Sequence, residues 1–405
     1  MKSALEGKRI VLGVTGSIAC YKAVDLASKL VQAGAEVNAV LTHGASQFVT
    51  PLTFRSITHR PVVTDVFDPT SELAIEHVAL AERADAVVIA PATAHTIAKL
   101  AYGMADDPLT TTVLATAAPV MVAPAMDAHM YENAAVKANL ETLKARGVTI
   151  VGPERGRLAS GLWGYGRLVE PATLVGHICA MLGKKGDLAN RTIVVSAGGT
   201  MEPIDPVRVI TNRSSGKMGY AIAEAARDRG ARAILVTTPT TNALPIPATV
   251  EAKVVESVAQ MRDAVLSACE SADVLIMAAA VSDFRVAQTS DQKIKKSDMG
   301  GEGGLTLHLV ENADFFPEVP PSVVKVGFAA ESQDLLQNAK KKIRSKGLEF
   351  IVANDITMEG AGFGVDTNKV TILDKDGGML DLPLMTKYEV AHHIMDSVVE
   401  ALKKR

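Results

Sequence analysis

The chain has 405 residues, which suggests two or three domains at about 150 residues per domain. Hydrophobic residues make up 48%, aromatic residues 4%, and the formal net charge is −3, so neither a basic surface nor a base-stacking platform for nucleic acid is expected. No apolar run reaches the roughly 18 residues of a membrane span, and the N-terminus has no signal-peptide pattern, so we expect no membrane association.

The first half of the chain reads as strands that alternate with helices. A continuous apolar strand over Arg9–Val14 is followed by a small-residue turn, a helix over about 21–33 and a second strand over Glu36–Leu41. Fully apolar strands separated by helices are typical of a parallel sheet that is covered on both faces. Three further strands are predicted at residues 86–90, 120–123 and 148–151.

The second half repeats this order from residue 191 and ends in an amphipathic helix over Lys387–Lys403. A polar stretch at 183–187 separates the halves, so we expect two domains, 1–186 and 187–405. Each is predicted to be a Rossmann-like, three-layer α/β domain with a mainly parallel sheet flanked by helices. The remaining predicted elements are strands at 191–197, 233–236, 274–277, 324–328 and 350–352, a helix at 218–229 and a hairpin at 369–382.

The first half carries a nucleotide-type site that does not match an NAD site. Its first turn is a Gly-x-x-Gly-x-x-Ala pattern beginning at Gly13 rather than GxGxxG, and Thr42 stands where an NAD enzyme usually has an acidic residue. Hydroxyls at Ser17, Thr42 and Ser46, beside a helix N-terminus, suit a terminal phosphate monoester and so favour FMN over a dinucleotide. A glycine turn that only permits tight strand–helix packing is the structural alternative.

Two adjacent strand ends leave room for a flat ring, because prolines and small residues follow them at 91–94 and 123–126. Ordinary tight loops between a strand and a helix would contain the same residue types, and they are the structural alternative. His77, upstream of the ring site, is a candidate acid/base near neutral pH, although a lone histidine is more often structural. The candidate flavin-binding residues are Gly16, Ser17, Thr42, Ser46, Pro91, Ala92, Thr93 and Met126.

The second half carries a Ser-Ser-Gly-Lys element at 214–217. It is not a P-loop, because Met218 follows the lysine and the upstream glycine is missing; its structural alternative is a helix N-cap at Ser215. Asp283, after the strand at 274–277, could hold Mg²⁺ through one carboxylate while phosphates and waters complete the coordination. The Lys-Ile-Lys-Lys segment at 293–296 could neutralise a triphosphate, or it could be a solvated loop.

These residues together resemble the flavin-containing cysteine decarboxylase family. The whole chain resembles the family of bacterial bifunctional phosphopantothenoylcysteine decarboxylase/phosphopantothenate–cysteine ligases over residues 8 to about 400. The resemblance implies that a bound FMN oxidises the cysteinyl thiol, which permits loss of CO₂, and that His77 is the acid/base of this reaction. The matching segments of the first half lie at 13–19, around His77, and at 91–94, 123–126 and 156–161.

Two positions differ from that family. Asp127 stands where the family normally has an asparagine that binds the substrate carboxylate, and Ser160 stands where it has a cysteine that donates the final proton. An ionised Asp127 would repel a carboxylate, so we expect it to be protonated, turned away or balanced by a cation. A serine hydroxyl is a much weaker acid than a thiol. The resemblance makes His77, Asp127 and Ser160 catalytic candidates.

The second half resembles the ligase half of the same family at 212–219, 279–283, 293–296 and 327–331. The resemblance implies that CTP activates the carboxylate of 4′-phosphopantothenate as an acyl-cytidylate, which the amine of L-cysteine then attacks. It makes Lys293 the residue that stabilises the transition state, Asn212 the holder of the acyl-cytidylate and Asp283 part of the CTP–Mg²⁺ site. The implied nucleotide-contact residues are Met277, Ala278, Ala279, Ala280, Asp283, Lys293, Ala313, Asp314, Phe315, Phe316, Phe328, Lys342 and Lys346.

The resemblance therefore implies two consecutive steps of coenzyme A synthesis in one homo-oligomer, with trimeric flavin domains and dimeric ligase domains that together form a dodecamer. The three cysteines form no CxxC pair or disulfide framework, which argues against a zinc site and fits the reducing cytoplasm. A two-domain dinucleotide oxidoreductase is one alternative, disfavoured by the first turn and by Thr42. A flavin-binding regulatory protein is another, disfavoured by His77 and the ligase motifs.

Overall fold

A computed structural model describes residues 4–66, 76–239, 244–295, 304–331, 335–355, 360, 362 and 364–405. The chain divides into two compact units between Leu182 and Gly183, at the start of the polar stretch predicted to separate the halves. Both units are α/β, with a mainly parallel sheet between layers of helices, which confirms the predicted fold class. Within the described ranges, no helix combines the length and the apolar character needed to cross a bilayer.

The N-terminal unit is built on a five-stranded parallel sheet with strand order β2-β1-β3-β4-β5. A separate antiparallel hairpin, β6–β7, stands beside it. The strands of this unit are β1 Arg9–Val14, β2 Glu36–Leu41, β3 Ala86–Ala92, β4 Val120–Pro124, β5 Thr149–Ile150, β6 Glu154–Arg157 and β7 Trp163–Arg167. Its helices are α1 Cys20–Gln32, α2 Pro51–Thr58, α3 Glu76–Arg83, α4 Ala94–Tyr102, α5 Pro108–Ala115, α6 Ala128–Glu132, α7 Ala134–Ala145 and α8 Pro171–Gly183.

Both faces of this sheet are buried, which is why its strands read as unbroken apolar runs. Successive side chains of a strand point to opposite faces. Leu12 packs in one core with Leu26 of α1, whereas Val11 packs in the other core with Ile97 of α4. Each fully buried leucine or isoleucine contributes about 1.5–3 kcal/mol, so the two cores hold the strand ends in place as a rigid platform.

The C-terminal unit has an eight-stranded sheet with order β12-β11-β8-β13-β16-β17-β19-β20, in which only the last two pairings are antiparallel. The predicted hairpin at 369–382 is confirmed as β19–β20. The strands are β8 Thr192–Ala197, β9 Met201–Pro203, β10 Val209–Thr211, β11 Arg232–Thr237, β12 Glu251–Val254, β13 Val274–Met277, β14 Phe284–Val286, β15 Leu309–Glu311, β16 Val324–Glu331, β17 Phe350–Asp355, β18 Thr367–Asn368, β19 Val370–Asp374, β20 Met379–Asp381 and β21 Met385–Thr386. The helices are α9 Lys217–Asp228, α10 Val258–Cys269, α11 Leu335–Lys346 and α12 Lys387–Lys403.

The start of α9 differs from the structural alternative that the sequence allowed. The N-cap residue is Gly216, with φ of 76°, and no side chain of the described residues caps the helix, so the predicted cap at Ser215 is wrong. A left-handed φ suits glycine, because a residue with a Cβ rarely adopts it. The backbone N–H groups of the first turn are consequently left without a side-chain cap.

One buried histidine makes the stability of this unit depend on pH. His392 of α12 is 7% exposed, its ring lies edge-on to Tyr388 with centroids 4.6 Å apart, and its Nε2 has no hydrogen-bond partner among the described residues. Burial lowers the pKa of His392 below its ordinary value of 6.5. The unfolded chain therefore binds more protons than the folded one as the pH falls through about 6.5, and stability decreases in that direction.

We expect the variant His392→Phe to raise the free energy of unfolding by about 1 kcal/mol at pH 7.5, since it removes a buried polar atom without a partner. Its advantage over the wild type should grow between pH 7.5 and 5.5, because phenylalanine does not titrate. Urea unfolding at several pH values measures both effects. An advantage that stays constant over this range would contradict the assignment of the pH dependence to His392.

Candidate functional sites

The N-terminal unit has a cavity of about 600 Å³ at the carboxyl ends of its strands. The loops after β1, β3 and β4 form one side of it and the β6–β7 hairpin forms the other. This is the edge at which open α/β sheets bind ligands, and the volume lies in the range of small-molecule sites. Six of the predicted site residues line the cavity: Gly16, Ser17, Thr93, Met126, Asp127 and Ser160.

The loops after β1 and β2 touch each other through two glycines. A Cβ placed on Gly16 would lie 2.9 Å from the carbonyl carbon of Gly44, so the backbones meet where no side chain fits. Thr42 and Ser46 belong to this second loop, and the Thr42 hydroxyl accepts a hydrogen bond from the backbone N–H of Ala45 at 3.3 Å. The two hydroxyl-bearing loops thus adjoin, although Thr42 and Ser46 do not themselves line the cavity.

A buried threonine that sequence reasoning missed fixes the loop after β3. The Thr15 hydroxyl donates to the carbonyl of Pro91 at 2.8 Å and accepts from the backbone N–H of Thr93 at 2.9 Å. Thr93 in turn caps α4. Pro91 and Ala92 are interior to β3 and do not line the cavity, so they shape it only through the backbone.

The two residues that differ from the family pattern are in contact. The Ser160 hydroxyl donates a hydrogen bond to the Asp127 carboxylate at 2.6 Å, and the backbone N–H of His129 donates to the same carboxylate at 3.0 Å. These two donors hold the pKa of Asp127 below its usual range. Of the three states open from the sequence, the protonated one is therefore disfavoured, and Asp127 is an ionised acceptor turned toward Ser160.

Three cationic side chains also line this cavity: Lys22, Arg157 and Arg167. Lys22 is buried, and its ammonium group donates to the carbonyl of Leu168 at 3.0 Å and to the Glu170 carboxylate at 2.8 Å. The resulting ion pair, assisted by Arg167, lowers the pKa of Glu170. Lys22 was missed from the sequence; the available signal was a lysine placed among the apolar positions of α1. Positive charge here can balance Asp127 and an anionic ligand.

His77 falls in α3, but its side chain lies outside the described part of the structure. Its predicted position upstream of the ring site therefore stays a prediction. Among the described residues of this helix, Ala81 is buried at 2% exposure, whereas Glu82 and Arg83 are exposed.

The C-terminal unit has a cavity of about 370 Å³, formed by the start of α9, the ends of β13 and β16, and the segment before β16. This cavity again lies at the carboxyl edge of the parallel strands. Predicted nucleotide-contact residues from four separate segments of the sequence meet in it. The predicted nucleotide-contact residues that line it are Met277, Ala278, Ala279, Ala280, Asp283, Ala313, Asp314, Phe315, Phe316, Phe328, Lys342 and Lys346.

One end of the cavity combines aromatic rings with lysines. Phe315 and Phe316 stack with centroids 6.5 Å apart, and the Lys346 ammonium lies 5.0 Å from the Phe316 ring centre and 3.1 Å from the Asp314 carboxylate. Apolar faces with adjacent cations suit a flat heterocycle joined to an anionic chain. This end can hold a nucleoside while the lysines face its phosphates.

Lys217 and Lys387 also line the cavity; Lys217 belongs to the Ser-Ser-Gly-Lys element noted in the sequence, whereas Lys387 was missed. Lys217 donates to the Asp366 carboxylate at 2.7 Å, and the Lys387 ammonium donates to the carbonyl of Thr367 at 2.9 Å. Burial, and then the charge of Lys217, lower the pKa of Lys387 to about 8. Lys387 is only 8% exposed, which its predicted position as the first residue of an amphipathic helix did not indicate.

Asp283 lines the same cavity, and no group of three potential metal-ligating side chains occurs in the portions of the chain that the structure describes. A divalent cation at Asp283 would therefore need oxygen ligands from a bound nucleotide, which is how Mg²⁺ usually binds in phosphate-transfer sites. The site fits a metal that arrives with its nucleotide.

Neither candidate catalytic residue of this unit lines the cavity. The Asn212 side-chain amide donates to the carbonyls of Ala280 at 3.2 Å and Val281 at 3.3 Å, and both acceptors belong to the lining loop. Lys293 is exposed and does not line the cavity, while Lys296 lies outside the described residues. The structure thus brings Asn212 to the site and leaves Lys293 outside the lining of the cavity.

Comparison with known proteins identifies the family. Residues 188–402 match the model of the DNA/pantothenate metabolism flavoprotein C-terminal domain, and residues 1–183 match the Flavoprotein model. The chain is 45% identical over 406 aligned positions to the coenzyme A biosynthesis bifunctional protein CoaBC of Bacillus subtilis, covering 99% of this chain and 98% of that protein. The chain belongs to the CoaBC family. Its N-terminal unit is a flavoprotein domain, and the resemblance predicted from the motifs is confirmed.

The chain is also similar to a further CoaBC protein and to two solved structures. This chain is 41% identical to the CoaBC of Escherichia coli K12 over 402 residues. The alignment covers 98% of this chain and 98% of that protein. The crystal structure of the C-terminal domain of a CoaBC is 37% identical, with a TM-score of 0.46, over 54% of this chain and 100% of that one. The structure of a mutant PPC decarboxylase complexed with pantothenoylaminoethenethiol is 31% identical to this chain, with a TM-score of 0.40. The match covers 43% of this chain and 97% of that one. These comparisons support neither alternative function.

Proposed function

We propose that this CoaBC-family chain catalyses two consecutive steps of coenzyme A synthesis. Residues 187–405 would ligate L-cysteine to 4′-phosphopantothenate with CTP, and residues 1–186 would decarboxylate the product to 4′-phosphopantetheine with FMN. The full-length similarity to CoaBC proteins supports this pair of activities. The observation that carries the proposal is that every predicted nucleotide-contact residue except Lys293 lines one cavity.

Ligation requires a carboxylate to be converted into an acyl donor. A carboxylate oxygen of 4′-phosphopantothenate attacks the α-phosphorus of CTP, the bond to the bridging oxygen breaks and pyrophosphate leaves. The cysteine amine then attacks the acyl carbon, forms the amide, releases CMP and loses a proton to solvent. We assign Lys293 to the negative charge that develops at the α-phosphoryl group, and Asn212 to the acyl-cytidylate.

Phe315, Phe316 and Phe328 would hold the cytosine ring, and Lys342 and Lys346 would face the phosphates. Asp283 would hold Mg²⁺ jointly with the triphosphate, where the cation supplies charge neutralisation during nucleotidyl transfer. Preference for CTP over ATP is a separate part of the proposal. Because both nucleotides present the same triphosphate, this preference has to come from contacts with the base.

The N-terminal cavity fits FMN. It has the volume for a flavin ring, the Gly16–Gly44 contact leaves a bare backbone edge for a phosphate, and Ser17, Thr42 and Ser46 supply hydroxyls nearby. Pro91, Ala92, Thr93 and Met126 would border the ring. When bound, the flavin supplies the two-electron oxidation of the cysteinyl thiol and returns the electrons after decarboxylation.

The protein residues of this site bind the substrate and move its protons. His77 would be the acid/base of the oxidative half. Because Asp127 is ionised and engaged by Ser160, we assign the substrate carboxylate to the positive charge of Arg157 and Arg167 rather than to Asp127. Ser160 would deliver the final proton, directly or through a water.

We expect the variant Ser160→Cys to increase the ratio of phosphopantetheine to the oxidised enethiol by about tenfold, because a thiol is a much stronger acid than a hydroxyl. Mass spectrometry of products from added phosphopantothenoylcysteine measures this ratio. Ser56→Cys, on an exposed position of α2, is the control and should behave as the wild type. An unchanged ratio in Ser160→Cys would show that Ser160 does not limit the reduction.

The cytoplasm and a homo-oligomeric state also belong to the proposal. Large apolar side chains beside the flavin cavity are exposed, including Ile18 at 60%, Tyr21 at 65% and Trp163 at 67%. A group of this kind is typical of a surface covered by another subunit. It supports contact between flavin domains. The trimeric flavin domains and dimeric ligase domains, which together would give a dodecamer, are proposed from the family resemblance. Light scattering tests this, and a monomer would contradict it.

The two activities can be tested separately on the full-length protein. Pyrophosphate release should require both 4′-phosphopantothenate and CTP, and ATP should replace CTP poorly. Added phosphopantothenoylcysteine should yield phosphopantetheine and CO₂ without any nucleotide. Equal rates with ATP would refute the nucleotide assignment and leave the ligation itself standing, whereas no pyrophosphate release with either nucleotide would refute the ligase.

A further inference from the structure

A buried carboxylate lies in the turn before β10. Asp205 is 3% exposed, and its Oδ1 accepts hydrogen bonds from the backbone N–H groups of Val207 and Arg208, both at 2.8 Å. Its Oδ2 accepts from the backbone N–H of Ile294 at 3.1 Å and pairs with the Arg208 guanidinium. This carboxylate therefore joins a turn at 205–208 to a loop almost ninety residues later in the chain.

Two further hydrogen bonds attach the same loop to the same turn. The Arg208 guanidinium donates to the carbonyl of Ile294 at 3.2 Å, and the backbone N–H of Ser290 donates to the carbonyl of Ile204 at 3.0 Å. Both backbone polar groups of Ile294 are thus bound by one ion pair, formed by Asp205 and Arg208. Because Ile294 directly follows Lys293, the backbone position of Lys293 is fixed by this clamp.

The turn also leads to the second candidate catalytic residue. It continues into β10 and then to Asn212, whose amide bonds the loop that lines the nucleotide cavity. One short segment, 204–212, consequently links the cavity edge to the Lys293 loop. Burial by itself would raise the pKa of Asp205, but the N–H donors of Val207, Ile294 and Arg208 outweigh it and lower the pKa to about 2. The clamp is therefore charged at every working pH.

We propose that Asp205 is a positioning residue of the ligation reaction, which with Arg208 holds the Ile294 backbone and so places Lys293 for nucleotidyl transfer. This inference rests on the proposed ligase function and names the group that orients its lysine. Displacing a catalytic group by about 1 Å can cost about 10²-fold in rate, so a clamp of this kind affects turnover more than binding.

The test compares Asp205→Asn, Lys293→Gln and the double variant in CTP- and phosphopantothenate-dependent pyrophosphate release. Asp205→Asn keeps the side-chain shape and removes the charge. We expect it to lower kcat by at least about tenfold with the KM for CTP within about twofold. In the Lys293→Gln background, the same change should lower kcat by no more than about twofold, since residues that act as a unit are not additive.

The control is Asp273→Asn. Asp273 also pairs a backbone N–H, that of Thr192 at 2.8 Å, with an arginine, Arg191, but it precedes β13 at the opposite edge of the sheet. Asp273→Asn removes the charge of another hydrogen-bonded carboxylate, and we expect pyrophosphate release to stay within about twofold of the wild type.

If Asp205→Asn fails to fold, Ile294→Pro replaces it, because proline deletes the N–H that Asp205 binds and leaves the buried ion pair intact. The same dependence on Lys293 is expected. Equal losses of kcat with and without Lys293, a change confined to KM, or wild-type kcat would each overturn the proposal. A wild-type protein that releases no pyrophosphate would instead refute the ligase function itself.

Discussion

Replacing Lys293 by glutamine is expected to lower the rate of pyrophosphate release about 10²–10³-fold, the usual cost of removing one group that stabilises a developing charge. Glutamine keeps a polar side chain of similar length and loses the positive charge. The loss should appear in kcat, because Lys293 does not line the nucleotide cavity and so contributes little to CTP binding. Decarboxylation of added phosphopantothenoylcysteine should be unchanged, since it takes place in the other unit.

The control for Lys293→Gln is Lys295→Gln, which removes the same charge from the same loop two residues later. We expect it to change the rate by no more than about threefold, as a charge on a solvated loop is largely screened. Equal losses in both variants would mean that the loop acts through its total charge. A Lys293→Gln variant with wild-type kcat would remove Lys293 from the mechanism.

The variant Gly16→Val is expected to purify with at least about tenfold less flavin than the wild type. Overpacking costs about 1–3 kcal/mol, and a loss of about 1.4 kcal/mol in binding free energy lowers the affinity about tenfold. A Cβ at this position would lie 2.9 Å and 3.0 Å from two backbone atoms of Gly44, and a backbone cannot turn aside as a side chain can. The loops after β1 and β2 would move apart, and the phosphate edge of the cavity would open. Absorbance near 450 nm measures the bound flavin.

Gly13→Ala is the matched variant on the adjoining strand. Its Cβ would lie 2.3 Å and 2.9 Å from the terminal methyl groups and 3.2 Å from Cγ of the buried Leu109, so a side chain rather than the backbone has to move. We expect this variant to melt at a lower temperature and to retain its flavin, so a general loss of packing is distinguished from a loss of the phosphate edge. Full flavin content in Gly16→Val would show that the Gly16–Gly44 contact is not part of the flavin site.

The alternation of apolar strands and helices was readable from the sequence because both faces of each sheet are buried. The strands Arg9–Val14, Glu36–Leu41 and Val274–Met277 and the helix Lys387–Lys403 have the predicted bounds. Continuous burial produces continuous apolar runs, and such runs end where the chain reaches the solvent. The carboxyl-edge cavities followed from this topology, since parallel strands bring their C-terminal ends together.

Contacts between distant polar residues were not readable. Ser160 and Asp127 are 33 residues apart, and their hydrogen bond depends on the β6–β7 hairpin, in whose short strands only glycines are buried. The bond between Asp205 and Ile294 likewise involves a backbone N–H, which leaves no trace in the residue types. Lys22 and Lys387 were not singled out, because a lysine in a helix is usually exposed; hydrogen bonds to backbone carbonyls satisfy them in the interior.

The prediction that Ser215 is the N-cap of α9 was wrong for a related physical reason. A serine before a helix favours an N-cap, but Gly216 takes the left-handed conformation that the turn requires, and Ser214 instead accepts from the backbone N–H of Gly216 at 3.4 Å. The competition between two local hydrogen-bond patterns is decided by the cavity-lining loop around them rather than by helix propensity.

The central claim is that one chain converts 4′-phosphopantothenate to 4′-phosphopantetheine. Mass spectrometry of the products tests it most directly, with the FMN-loaded, full-length protein supplied with 4′-phosphopantothenate, L-cysteine, Mg²⁺ and CTP. The account predicts 4′-phosphopantetheine together with equimolar CMP, pyrophosphate and CO₂, and no product when CTP is omitted. Unconsumed 4′-phosphopantothenate, or phosphopantothenoylcysteine as the only product, would contradict it.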